Sequence, residues 1–319
     1  MEKSRAKTIQ IFLPTGEPRG IRMAELTTRI VQAYLIPRSE LHEAKRQPEL
    51  DQMAVYFLFG ESEQEAKPMV HIGKTEDLKE RLDFHDKTKS FWKTAVLGIS
   101  KTQSFTQAHI RYLEWYCVQK AREAGRYRLE NDSNPGKPFV TDAMEADILD
   151  SFETLKTLIA TLGYPVFEPL IPEATEKTFS LSGKNADAVG ELVEDGFVVL
   201  QGSRATKEVD SSVKDSVSAL REKLLGSSIL VDEGNQLRFT QDYLFQSPSG
   251  AAAFVLGRPA DGWLEWKNKE GVNLRDTRDE QNVLFDEPDV APVIGEEFRS
   301  FISKIIRRQE ATTMAVNGH

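Results

Sequence analysis

One cysteine among 319 residues, Cys117, rules out an intrachain disulfide and a cysteine-cluster zinc site, and it suits a reducing compartment. Histidine is sparse too. His71, His85 and His109 are too scattered to form a recognisable zinc motif, although folding can bring two of them together. No run of about 20 apolar residues and no secretory leader pattern is visible, so the expectation is a cytoplasmic protein with no membrane partner. There is no Walker-type phosphate loop, and Gly202-Ser203-Arg204 lacks the spacing of a nucleophile elbow. Net positive charge is also missing: the chain carries −9, an awkward balance for a nucleic-acid partner. Its distribution is uneven, because residues 71–128 hold twelve Lys/Arg against seven Asp/Glu, which leaves −14 for the remainder. A local basic stripe can guide a phosphate backbone while acidic regions suppress indiscriminate binding; a solvated helix face accounts equally well for any single lysine.

What the chain does have is concentrated between Met53 and His85: AVYFLFG, then MVHIGKT, then a helix-like run carrying Arg81 and His85. Alternate side chains of a strand share a face. Val55, Phe57 and Phe59 are therefore expected on one face of the first strand, with Tyr56 and Leu58 on the other. In the second strand Val70 and Ile72 oppose Met69 and His71. A hairpin across residues 61–67 would bring Tyr56 and His71 to the same side. Gly73 offers a close approach to backbone or ligand. Thr75 reads as the N-cap of the next helix, with Glu76 and Asp77 in its first turn. Leu78, Leu82 and His85 recur at helical spacing, and Arg81 precedes His85 by one turn. Farther on, Ile110, Leu113, Cys117 and Ala121 trace a helical stripe bordered by Glu114. Glu114 reads either as pointing at the sheet or as a surface ion pair with Arg111.

These residues resemble the GIY-YIG nuclease superfamily over roughly residues 50–135. Its first tripeptide stands here as Ala54-Val55-Tyr56 and its second as His71-Ile72-Gly73. The family's Arg and His match Arg81 and His85, its metal-binding Glu matches Glu114, and its final Asn matches Asn131 ahead of Asn134. Phe91-Trp92 looks like the pair that follows the helix in bacterial members. His71 is the main departure, since the family usually has Tyr there. An imidazole accepts a proton near neutral pH, which an ordinary phenol with a pKa of about 10 does not do readily. The replacement thus reads either as a working base or as the mark of a decayed site.

The expected fold is α/β: a small mixed sheet flanked by helices, followed by an α+β C-terminal module. Residues 1–50 read as a strand-rich extension too small to fold alone, 51–170 as the nuclease-like domain, 178–275 as the C-terminal module and 276–319 as an acidic linker and helical tail. Residues 171–177 read as a linker, AVLGIS as a third strand, 142–162 as an amphipathic helix and PVFEPL as a strand after it. In the C-terminal module Ser247-Pro248 reads as a helix start and Gly257 as its end, while Asp261-Gly262 reads as a turn into a strand at 263–266. The stretch NADAVGELVEDGFVVLQGS reads as a weak repeat of that helix, turn and strand. SPSGAAA and DGWLEW resemble a domain of uncharacterised function common in bacterial GIY-YIG proteins and are similar to the RAMA domain of restriction and modification systems. Core packing is the expected role of at least one of Trp263 and Trp266.

The resemblance implies a metal-dependent endonuclease that hydrolyses DNA phosphodiester bonds in a restriction/modification or repair setting. It implies Mg²⁺ (or Mn²⁺) at Glu114, with Tyr56, His71, Arg81 and His85 as the catalytic group and Gly73 and Asn131 in support. DNA is the implied partner, with a restriction/modification protein as a second. The alternative is a catalytically silent DNA-binding or interaction protein that retains the fold.

Overall fold

Among the described residues there are two seven-stranded sheets, the first with a hydrophobic core on each face and the second with its own. A computed structural model describes residues 6–277 apart from 63, 132–135 and 172–176, with backbone alone at 214 and 215. Asn134, most of the linker and the expected tail helix lie outside the described residues.

In the first half the order is β1 (Ile9–Phe12), β2 (Arg22–Leu26), β3 (Val31–Pro37), α1 (Leu41–Ala44), β4 (Ala54–Gly60), β5 (Met69–Thr75), α2 (Leu78–Thr88), β6 (Trp92–Ser100), α3 (Gln107–Ala124), β7 (Arg128–Leu129) and α4 (Asp142–Thr161). The sheet runs β1-β2-β3-β6-β4-β5-β7, antiparallel throughout except for the parallel β5/β7 pair. β3 pairs with β6 over its whole length, so the N-terminal strands continue the same sheet.

The strand parity explains why AVYFLFG is almost uniformly apolar. Val55, Phe57 and Phe59 pack under α3 and α4, while Ala54, Tyr56 and Leu58 pack under α1 and α2. A central strand covered on both faces loses the polar alternation of a half-exposed one. Each large side chain buried this way stabilises the fold by about 1.5–3 kcal/mol. PVFEPL does not form a strand: Val166, Phe167 and Leu170 are buried from turns after α4. Pro165 and Pro169 each lack an N–H for a ladder, so the run plugs the core without joining the sheet.

The second half contains β8 (Thr178–Gly183), β9 (Ala186–Val193), β10 (Gly196–Val199), β11 (Arg204–Thr206), α5 (Lys214–Gly226), β12 (Leu230–Asp232), β13 (Gln236–Phe239), β14 (Tyr243–Phe245), α6 (Pro248–Leu256) and α7 (Gly262–Glu265). Its strands run β12-β13-β11-β9-β10-β14, with β8 added to β9. α6 starts at the Ser247 cap and ends at Gly257 in the left-handed region, and its Ala251 and Ala252 are fully buried against the sheet. Residues 263–266 are not a strand. The Asp261 carboxylate accepts the Trp263 N–H and opens the short helix α7, which turns Trp266 into the core against Phe197. The proposed repeat fails for the same reason: Ala186–Val193 is a strand, and Asp195-Gly196 is a hairpin turn rather than a helix start. No described helix is long and apolar enough to cross a membrane.

Candidate functional site

The β4/β5 register sets Tyr56 opposite Gly73 and Leu58 opposite His71. Tyr56 and His71 are thereby diagonal neighbours on one face, with ring centroids 5.9 Å apart. A Cβ built at Gly73 would lie 2.3 Å from the Tyr56 hydroxyl. The group that approaches the glycine backbone is therefore the phenol of Tyr56, which needs that space to reach its partners.

Those partners come from α2. Its N-cap is Asp77, not Thr75: Asp77 Oδ1 accepts the Glu80 N–H at 2.9 Å, whereas Thr75 ends β5 and bonds locally to Asp77. Either residue is a good cap by type, and the length of β5 decides between them. Starting there, the helix buries Leu78, Leu82 and His85 and holds Arg81 one turn before His85. Arg81 Nε donates to the Tyr56 hydroxyl at 2.9 Å, and the same hydroxyl lies 2.8 Å from His85 Nε2. Arginine can only donate. The Tyr56 oxygen thus accepts from Arg81, and with His85 neutral and its hydrogen on Nδ1 the Tyr56 O–H donates to His85 Nε2. Burial, aided by neighbouring His71, Arg81 and Lys89, pushes His85 down to about 3. The Trp92 indole N–H, donated to the His85 carbonyl at 3.2 Å, pins this turn of the helix.

A buried neutral histidine makes stability depend on pH. With the unfolded value near 6.5 and the folded value about 3, the unfolded chain binds the extra proton between them. The contribution is complete above about pH 6.5 and is lost as pH falls toward 3. Thermal melts should show wild type losing stability over that window, and His85→Gln losing less. Parallel acid profiles for the two proteins would contradict the assignment.

His71 occupies the other side of the phenol, 5.1 Å from His85 between ring centroids. Its Nδ1 is 3.1 Å from Glu130 Oε2, and Lys89 Nζ donates to both oxygens of the same carboxylate at 2.8 and 2.7 Å. Burial first, then Lys89 and Arg81, lower its pKa against the opposing pull of Glu130, so His71 is neutral at neutral pH. Neither Glu130 nor Lys89 was among the residues expected from the sequence. Lys89 caps α2 and Glu130 follows β7, and only the position of Glu130 beside Asn131 could have pointed to it.

The outer edge of β5 completes the cluster. β7 covers only Met69 and Val70, after which side chains take over. Asn131 Oδ1 accepts the Ile72 N–H at 3.1 Å and its Nδ2 donates to the Ile72 carbonyl at 2.6 Å, the pattern of a neighbouring strand. Two residues on, Lys74 faces the carboxylate of Glu114 from α3 and acts to lower its pKa. Burial raises the Glu114 pKa, opposed by Lys74, Arg81 and Arg111. The structure thus brings Tyr56, His71, Arg81, His85, Glu114, Gly73 and Asn131 to one end of the β4/β5 hairpin.

Among the described residues no group of three or more His, Cys, Asp or Glu could hold a metal ion. A magnesium ion needs less, since it keeps several waters and takes one or two carboxylates plus substrate phosphates. Glu114 has the right chemistry for that role: one half-buried hard-oxygen donor with no ion pair among the described residues. The basic stripe is thinner than its sequence count. Seven of its twelve cations, Lys79, Lys89, Lys93, Lys101, Lys120, Arg126 and Arg128, are in ion pairs. Lys74, Arg81 and Arg111 carry no such pair among the described residues, and all three act on Glu114. Lys74 too was absent from the expected set.

Comparison with known proteins covers the chain in parts. The profile of a domain of unknown function, DUF4357, matches residues 179–278, which takes in the second sheet apart from Thr178, the first residue of β8. A protein named protein-glutamine deamidase Cif, from Photorhabdus laumondii subsp. laumondii, is 27% identical over 130 residues. That match spans 40% of this chain and 41% of the relative, less than half of its length. No solved structure matches the chain.

Proposed function

We propose that this protein is a metal-dependent endonuclease acting on DNA phosphodiester bonds, with its reaction centre at the end of the β4/β5 hairpin. The observation that carries the reading is the chain Arg81 Nε to Tyr56 hydroxyl to His85 Nε2, at 2.9 and 2.8 Å, beside a neutral His71 and a half-buried Glu114. Glu114 would hold a Mg²⁺ or Mn²⁺ ion, whose charge would stabilise the leaving oxygen.

The two imidazoles have different tasks. Burial raises Tyr56 above the ordinary phenol value near 10, and His85 sits at about 3. Both shifts hold the proton on the phenol. His85 therefore orients the hydroxyl and does not deprotonate it. His71, neutral and 13% exposed although both of its ring nitrogens are buried, is the base we assign to the attacking water, which must reach it as DNA binds. Tyr56 fixes the guanidinium of Arg81 through Nε, which leaves the two Nη groups to grip phosphate oxygens as a fork.

That fork gives a direct test. Arg81→Lys keeps the charge but not the paired donors, and it should slow nicking of supercoiled plasmid in Mg²⁺ by about a hundredfold. Equal rates would place Arg81 outside the transition-state contacts.

One observation favours a silent DNA-binding protein as the second reading: Tyr56 is 0% and His85 1% exposed, so that half of the cluster is closed to solvent. DNA binding without nicking in either metal would select it. Cys117 is fully buried and its pKa is raised well above the usual range, the state of an inert cysteine. A restriction or modification setting, with the DUF4357 module choosing the target, fits a nuclease half that has few base-reading elements.

A further inference from the structure

The two sheets meet at a seam that is polar at its centre. Lys67, from the loop before β5, donates to the Gly125 carbonyl at 2.9 Å and to the Gln241 side-chain oxygen at 2.8 Å, one acceptor from each half. Neither acceptor is charged. Nearby Asp242 makes no ion pair with this ammonium; its Oδ1 accepts the Gln201 main-chain N–H at 2.8 Å. An ammonium taken from water and met by neutral acceptors alone is under-compensated. It also has three donors, and two are used.

Beside Lys67 lies a cleft of about 240 Å³, which Arg122 and Arg128 also line, both exposed. Glu65, paired with Arg128 at 2.9 Å, is the one acid among the described residues of that lining. A second cavity of similar size shares Lys67 but differs in character. Its Arg126 is already satisfied by the Glu168 and Pro169 carbonyls and by Asp195. The first cleft sets three cations, Lys67 among them, against one acid among its described lining residues. It sits at the start of β5, at the far end of that strand from Lys74.

We propose that this cleft is a phosphate-binding site, in which Lys67 and the two arginines hold an oxyanion that bridges the two halves of the protein. The phosphate can come from a free anion or from a nucleic-acid strand that also passes over the reaction centre. Inorganic pyrophosphate and a short single-stranded oligonucleotide separate these sources. Binding is measured by thermal shift and calorimetry in EDTA, against sodium chloride of equal ionic strength, in wild type and in Arg81→Gln. The latter removes the catalytic cluster's own anion contact.

A saturable rise in Tm with at least one probe, retained in Arg81→Gln, is expected. Affinity should fall at least tenfold in Lys67→Met. If that variant fails to fold, Arg122→Gln with Arg128→Gln, both exposed positions, should produce the same loss. No saturable rise beyond the chloride control, or equal affinity in the variants, overturns the site. Because every arm is free of metal and none reads cleavage, failure of the nuclease reading would leave this result standing.

Discussion

His71→Ala should cut the rate of DNA nicking by about 10²- to 10⁴-fold, the range in which a positioned acid or base contributes. The wild-type rate should be flat above pH 6.5 and fall below it, because a base with a lowered pKa is lost only when protonated in acid. His71→Tyr should retain part of the activity with its acid limb moved up by several pH units, since an ordinary phenol titrates near 10. A profile unchanged by either substitution would remove His71 from the chemistry. An inactive wild type that gains cleavage from His71→Tyr would show instead that the imidazole silenced the site. Glu130 and Lys89 enter the same measurement. Each grips the other and lies against His71, so the acid limb reports on this clamp as much as on the ring itself.

The core of this arrangement was legible in the sequence because local rules and tertiary packing agree there. Alternation over 54–60 and 69–75 placed Tyr56 and His71 on one face, and helical spacing placed Arg81 and His85 on one flank. Short segments where two elements share one pattern were misread. Asp-Gly opens a hairpin strand at 195–196 and a helix at 261–262, and the difference lies in whether the aspartate finds an N–H to cap. PVFEPL has strand composition, but its prolines and its position after α4 make it a core plug. Glu130, Lys89 and Lys74 could not be found by spacing. They converge only because β5 runs beyond β7 and leaves an edge that side chains must cover.

Glu114→Gln should reduce metal-dependent nicking by at least a thousandfold while leaving the melting temperature and DNA affinity within a small margin of wild type. The amide keeps the size of the side chain and an oxygen that can accept, so it can still lie against Lys74 at the β5 edge. What it loses is negative charge, and with it the hard-oxygen ligand that a divalent ion needs. Removing a half-buried carboxylate from among Lys74, Arg81 and Arg111 makes the local potential more positive. Affinity for a phosphate backbone should therefore hold or rise as cleavage disappears. This opposite movement of binding and rate separates a metal ligand from a structural carboxylate, whose loss would lower stability and activity together. Titrating Mg²⁺ and Mn²⁺ against wild type and Glu114→Gln, with binding measured in EDTA, gives both quantities. If the variant cuts at the wild-type rate, Glu114 is not the metal's anchor. If it neither cuts nor binds DNA, Glu114 holds the edge of β5 rather than an ion.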